Sequence, residues 1–141
     1  MHRHMWKNNK FGLRIYYKGI VKKQNEVERM LYEFLKGTMQ VNQFTIYDCI
    51  NATDQWLEST HNYIQWCFPN HKQSSVSKNA PILTDNELNK ILNDEICVSN
   101  IKSMTNRMIQ FYDNNPVKSS FNHNCKRITR ILLFLKEIDE N

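Results

Sequence analysis

Three glycines and three prolines are all that the 141 residues carry, which excludes collagen-like and Pro/Gly-rich linker classes. No apolar run approaches the roughly 18 to 20 residues needed to cross a bilayer. The opening MHRHMWKNNK also lacks the apolar stretch of a secretory signal. The expectation is an intracellular protein, cytoplasmic or nuclear, with no membrane span. Close cysteine pairs are missing as well: Cys49, Cys67, Cys97 and Cys125 are widely spaced, so neither a zinc knuckle nor a redox pair is encoded. They read as buried or half-buried thiols. A glycine-rich phosphate loop and a G-x-S-x-G elbow are absent too, which excludes the familiar forms of nucleotide hydrolysis and serine catalysis. No cofactor and no metal are expected.

What remains is the material of one ordinary domain. Hydrophobic residues make up 40% and charged residues 23%, enough to bury a single core at this length. Abundant Asn, Lys and Ile fit an AT-rich coding sequence, such as that of a large DNA virus or a parasite. The net charge of +5 is unevenly spread, because no acidic residue precedes Glu26. Residues 1–25 form a basic, aromatic arm or lead-in that carries Arg3, Lys7, Lys10, Arg14, Lys18, Lys22 and Lys23 among Trp6, Phe11, Tyr16 and Tyr17. Such an arm can follow a phosphate backbone and stack on bases. The blander reading, a solvated terminus, ranks ahead of it, and nucleic acid is therefore the weaker partner.

Residues 26–141 read as a helical domain. LRIYYKGIV at 13 to 21 suits a short extended piece. Val27, Met30, Leu31, Phe34 and Leu35 then recur at helical spacing, and Gly37 supplies a stop. TMQVNQFTIYDCI starts as an extended piece and turns helical near Tyr47. Thr53 or Asn51 caps a helix that Pro69 ends. TDNE at 84 to 87 has the form of a capping box opening the next helix. Ile101, Met104, Met108 and Phe111 mark a further helix broken by DNNP, and the last runs from about Phe121 to Ile138. The expected fold is all-α, a single-domain bundle of about five helices.

Two helices carry the candidate chemistry. On a wheel drawn through residues 57 to 68, Leu57, Thr60, Ile64, Cys67 and Phe68 share a face, His61 and Gln65 lie on its flank beside Glu58, and Trp66 points away. On the final helix Ile128, Ile131, Leu132 and Leu135 form the core face, while His123, Arg127, Arg130 and Phe134 follow its edge. Two guanidiniums and an imidazole on one stripe suit carboxylate or phosphate. The competing reading pairs the arginines with carboxylates such as Glu58 and buries Trp66 in a small cluster. If the helices pack side by side, His61, Gln65, His123, Arg127 and Arg130 converge on a pocket walled by Tyr63 or Trp66. Its partner is a small anionic ligand, a nucleotide or a short peptide. As an enzyme, the same site would use His61 and His123 as an acid and base pair on a phosphodiester. An apolar groove for a partner helix is the third reading.

The segment L-E-x-x-H-x-Y-I-Q-W-x-F-P at 57 to 69 resembles the signature of the opioid growth factor receptor family's conserved region. The similarity continues in order through A-P-x-L-T (Ala80 to Thr84), M-I-Q-F-Y (Met108 to Tyr112) and H-N-x-x-R-I-T-R-I-L (His123 to Leu132), covering roughly 53 to 138. Cys67 stands where the family usually has Leu, and Asp113 where a Gly commonly follows the F-Y pair. The resemblance implies a binding role. Vertebrate members are nuclear-associated receptors for the pentapeptide Met-enkephalin, and this chain is similar to the short stand-alone members of bacteria and viruses. His61, Gln65, Trp66, His123, Arg127 and Arg130 all match signature positions, which favours the convergent pocket. The resulting expectation is non-enzymatic capture of an anionic ligand, suited to a viral sequestering protein.

Overall fold

A computed structural model describes residues 30–72, 80–118 and 122–140. The basic arm and the LRIYYKGIV segment lie outside the described residues, as does Val27, expected in the first helix. Seven helices and no strand are found among the described residues. The all-α expectation therefore holds, while the count of about five does not.

Helix α1 covers residues 30–36 and ends as its sequence suggests. Gly37 takes a φ of +87°, its N–H donates to the carbonyl of Phe34 and the N–H of Thr38 donates to that of Glu33, both at 3.0 Å. This is the paired closure of a Schellman motif, which needs a left-handed residue at that position. A two-residue turn comes next, in which Val41 and Phe44 exchange backbone hydrogen bonds of 2.9 and 3.0 Å. Asn42 and Gln43 both have positive φ, 52° and 73°, as a type I′ turn requires. Helix α2 (Ile46–Ile50) is short but fully capped: Thr45 accepts from the N–H of Asp48, whose carboxylate accepts in return from the N–H of Thr45.

The helix expected across residues 53 to 68 is two. Thr53 caps α3 (Asp54–Ser59) through the N–H of Trp56, and Thr60 ends it in extended backbone. Helix α4 (Ile64–Cys67) starts afresh after a bend. The wheel through 57 to 68 therefore does not describe where these side chains point. Apolar spacing continues across the break, since Leu57, Tyr63, Ile64, Cys67 and Phe68 are all buried. Periodicity alone could not reveal it.

Helix α5 (Asp85–Leu92) is capped by Thr84, which accepts from the N–H of Glu87. The Glu87 carboxylate accepts from the N–H of Tyr32 at 2.8 Å, fastening α5 to α1. Helix α6 (Glu95–Asn114) buries Cys97, Ile101, Met104, Met108 and Phe111 along one stripe. It packs against α2 and α5. Helix α7 (His123–Asp139) packs against α4. Its inward face is Asn124, Arg127, Ile131 and Phe134, whereas Leu132 is 59% exposed. The core face is thus rotated from the expected one, toward the edge that carries Arg127 and Phe134. Phe134 meets Phe68 edge-on at 6.2 Å, and Arg127 is drawn in by its hydrogen bonds to the end of α3.

Charged contacts close the periphery. Arg107 donates to the carbonyl of Ala52 and to Asp54 Oδ1, and Asp94 accepts from the Tyr32 hydroxyl while pairing with Lys36 at 3.4 Å. The hydrogen bond from Arg107 holds Asp54 below its ordinary pKa, and that from Tyr32 does the same for Asp94. A carboxyl depressed in the fold binds its proton more readily when unfolded, so each contributes stability above about pH 4 that is lost as pH falls through the folded value. Acid titration followed by circular dichroism is expected to show stability falling below about pH 4, and Asp54→Asn is expected to flatten that fall. An unchanged acid limb in the variant would remove Asp54 from the account.

Candidate functional site

The end of α3 sets the geometry. A helix leaves its last carbonyls without intrahelical donors, and here one side chain from α7 takes them. Arg127 Nη1 donates to the carbonyl of Leu57 at 2.7 Å, and Nη2 donates to those of Thr60 at 2.6 Å and Glu58 at 3.4 Å. Nη1 also lies 3.3 Å from the Tyr63 hydroxyl and from Asn124 Oδ1. Nη2 is 3.4 Å from His61 Nδ1. None of these six acceptors is a carboxylate, and Arg127 is only 8% exposed. A buried cation is thus held by dipoles at the negative end of a helix.

Around this clasp the two imidazoles meet. His61 and His123 are both exposed, with ring centroids 5.9 Å apart in an edge-to-face arrangement. Because a guanidinium can only donate, His61 Nδ1 is the acceptor and the ring proton of its neutral form sits on Nε2. His123 Nε2 lies 3.3 Å from Glu58 Oε1, so in the neutral ring that nitrogen carries the proton and Nδ1 is the acceptor. The other Glu58 oxygen accepts from Asn124 Nδ2 at 2.9 Å. Tyr63 is fully buried, donates its hydroxyl to the carbonyl of Leu57 at 2.7 Å, and lies under the Arg127 guanidinium. Burial pushes its pKa far up, and burial also pushes Tyr112 up to about 12.

The remaining expected site residues are placed differently. Trp66 is 8% exposed and packs edge-on against Phe34 at 5.8 Å, so its ring faces the core. Gln65 donates to the carbonyl of His61 at 3.5 Å, which keeps it beside the imidazole pair. Arg130 donates from Nε to the carbonyl of Phe68 at 3.0 Å, at the other end of α4, and burial lowers its pKa. Gln65 Oε1, Arg130 Nη2 and the Tyr112 hydroxyl are buried atoms without a partner among the described residues. The structure thus brings His61, Tyr63, Gln65, His123 and Arg127 together and sets Trp66 and Arg130 apart.

A cleft of about 590 Å³ adjoins this edge, lined by Asn42, Gln43, Asn51 and Asn62 with Phe44 and Trp56. Thr60 and Asn62, the two neighbours of His61, belong to its wall. Its one legible signal is the Asn-Gln pair between Val41 and Phe44, the two central residues of the turn, which line the cleft.

Residues 22–120 match a family model described as the opioid growth factor receptor (OGFr) conserved region. The match starts upstream of residue 53, leaves out LRIYYKGI at 13 to 20, a weaker part of the resemblance, and stops before α7, so His61, Tyr63, Gln65 and Trp66 fall within it and His123, Arg127 and Arg130 beyond it. No curated protein and no solved structure matches the chain.

Proposed function

The chain belongs to the opioid growth factor receptor conserved-region family, and from that premise we propose that it is a non-enzymatic binding domain for a small anionic ligand, a nucleotide or a peptide carboxylate. The observation that carries this reading is the buried Arg127 charge with no carboxylate among its six acceptors. That charge lies beneath the edge where His61 and His123 stand exposed, with the Glu58 carboxylate on the His123 side. An anionic group accepts there from the His61 Nε2–H, and the amide-lined cleft beside Thr60 and Asn62 receives the ligand's polar remainder. Tyr63 supports the site from within the core through its contact with Arg127, while Trp66 and Arg130 lie apart from it. Capture without turnover is what a sequestering protein requires, a viral one included. An intracellular setting suits its four free thiols.

A second reading rests on the complementary imidazoles. One ring nitrogen carrying a proton and another left as a base, on facing rings, are the parts of a metal-independent phosphodiesterase. Thermal-shift screening against mono-, di- and cyclic nucleotides and short peptides, with mass spectrometry of each hit, separates the two. Binding is expected to leave the ligand intact and to weaken at least tenfold in His61→Ala and His123→Ala, both at exposed positions. A chemically altered ligand would establish the enzyme instead. Stabilisation that survives both substitutions would sink the site assignment, and silence across the panel would favour a protein-interaction module.

A further inference from the structure

A separate cluster lies at the other end of α7, about 21 Å along the helix from His123 at 1.5 Å per residue. His71, from the link after α4, brings Nε2 within 2.8 Å of Glu137 Oε1 and 4.0 Å of Asp85 Oδ1. All three donor atoms lie within 4.8 Å of one another. His71 Nδ1 stands 2.6 Å from the carbonyl of Leu83. A carbonyl can only accept, so Nδ1 carries the proton, and in the neutral ring Nε2 presents a lone pair to a carboxylate oxygen at contact distance. A cation between Nε2 and the Glu137 oxygen, a proton or a metal ion, satisfies both atoms, and Asp85 Oδ1 turns toward the same point.

We propose that His71, Asp85 and Glu137 form a binding site for a divalent ion of the zinc type. The donor set fits, since zinc takes imidazole nitrogen and carboxylate oxygen at about 2.0 to 2.2 Å. Tetrahedral ligands at that radius are about 3.4 Å apart, and the two separations at Nε2 fall on either side of it. Asp85 has a side chain 95% exposed and closes the longer one by changing rotamer. The Leu83 carbonyl plays the part that backbone acceptors play behind metal-bound histidines, fixing tautomer and ring direction. Three protein ligands leave a fourth position for water or a ligand group. A cavity of about 200 Å³ lined by His71, Lys72, Leu133, Phe134 and Glu137 adjoins the cluster. The donors come from three segments at positions 71, 85 and 137, so no short spacing announces them and the expectation of no metal is understandable from the sequence alone.

The test uses the full chain and zinc chloride alone, read by calorimetric titration and thermal shift, with cobalt absorbance as a second probe. One equivalent of zinc is expected to bind and to raise the melting temperature. Asp85→Asn and Glu137→Gln are each expected to weaken binding at least tenfold, and His71→Gln to abolish the cobalt band. Absence of saturable binding would overturn the proposal and leave a protonated His71 paired with Glu137. Binding undiminished in Asp85→Asn and Glu137→Gln would overturn it as well, placing the ion on other imidazoles or thiols. Nucleotides and peptides are absent from this experiment, so its outcome is independent of the His61–His123 reading.

Discussion

Arg127→Ala is expected to lower the unfolding free energy by about 3 kcal/mol, because hydrogen bonds to a charged donor contribute about 1.5 to 3 kcal/mol each and the stranded carbonyls stay desolvated. At roughly 4 °C per kcal/mol for a domain of this size, the melting temperature falls by about 12 °C. The side chain joins α7 to the carbonyls of Leu57, Glu58 and Thr60 and to the Tyr63 hydroxyl. Nothing smaller reaches all of them. Lysine keeps the charge but lacks the planar fork, so Arg127→Lys is expected to recover less than half of the loss. Urea unfolding of the two variants decides the matter. A loss under about 1 kcal/mol, in the range of an exposed contact, would mean that α3 does not depend on this clasp. The variant also loses ligand binding through the displacement of His61, which is why the exposed histidines, and not Arg127, test the proposed site.

How far the sequence discloses this arrangement depends on the scale of the signal. The all-α class, the stripe of α6 and the stop at Gly37 arise from local patterns, and the structure contains all three. The break between α3 and α4 does not, because Ile64, Cys67 and Phe68 keep the spacing of a continuous helix while a guanidinium 67 residues beyond Thr60 satisfies the carbonyls that the break frees. The same distant contact rotates α7. A wheel ranks faces by apolar content, and Ile128 to Leu135 offer two nearly equal choices. The residue that selects between them is Arg127, which the wheel counts as polar and therefore outward.

The site is legible in part for the same reason. Two polar flanks in the sequence point to the meeting of His61 with His123 and Arg127, and the structure contains it. The price of the arginine's burial is not legible there, since only the folded chain shows that three of its six hydrogen bonds end on backbone. The cleft and the His71 cluster have no local signature. Their residues come from separate loops and helix ends, and their chemistry exists only once the core has placed them.

Phe34 shows how the core does that placing. Its side chain is fully buried, and its ring meets Phe44 edge-on at 6.1 Å and Trp66 at 5.8 Å. One residue thereby joins α1, the Val41–Phe44 turn that shapes the cleft, and α4. Phe34→Ala is expected to cost about 4 kcal/mol, combining lost transfer, a cavity and two aromatic contacts. Phe34→Leu keeps most of the volume and is expected to cost about 1.5 kcal/mol. Against a total stability of about 5 to 15 kcal/mol for such domains, the loss of about 7 kcal/mol in Phe34→Ala combined with Arg127→Ala removes half of the stability or more over most of that range. Below their melting temperatures the single variants are expected to differ in binding. Phe34→Ala retains the His61–His123 edge but loosens the cleft wall at Phe44, and per folded molecule it should weaken ligand binding less than Arg127→Ala does. Equal losses of affinity in the two would mean that the edge is formed by the packing of the whole core and not by the clasp. A cost below about 1.5 kcal/mol for Phe34→Ala would mean that the aromatic cluster is too loosely packed to hold the cleft at all.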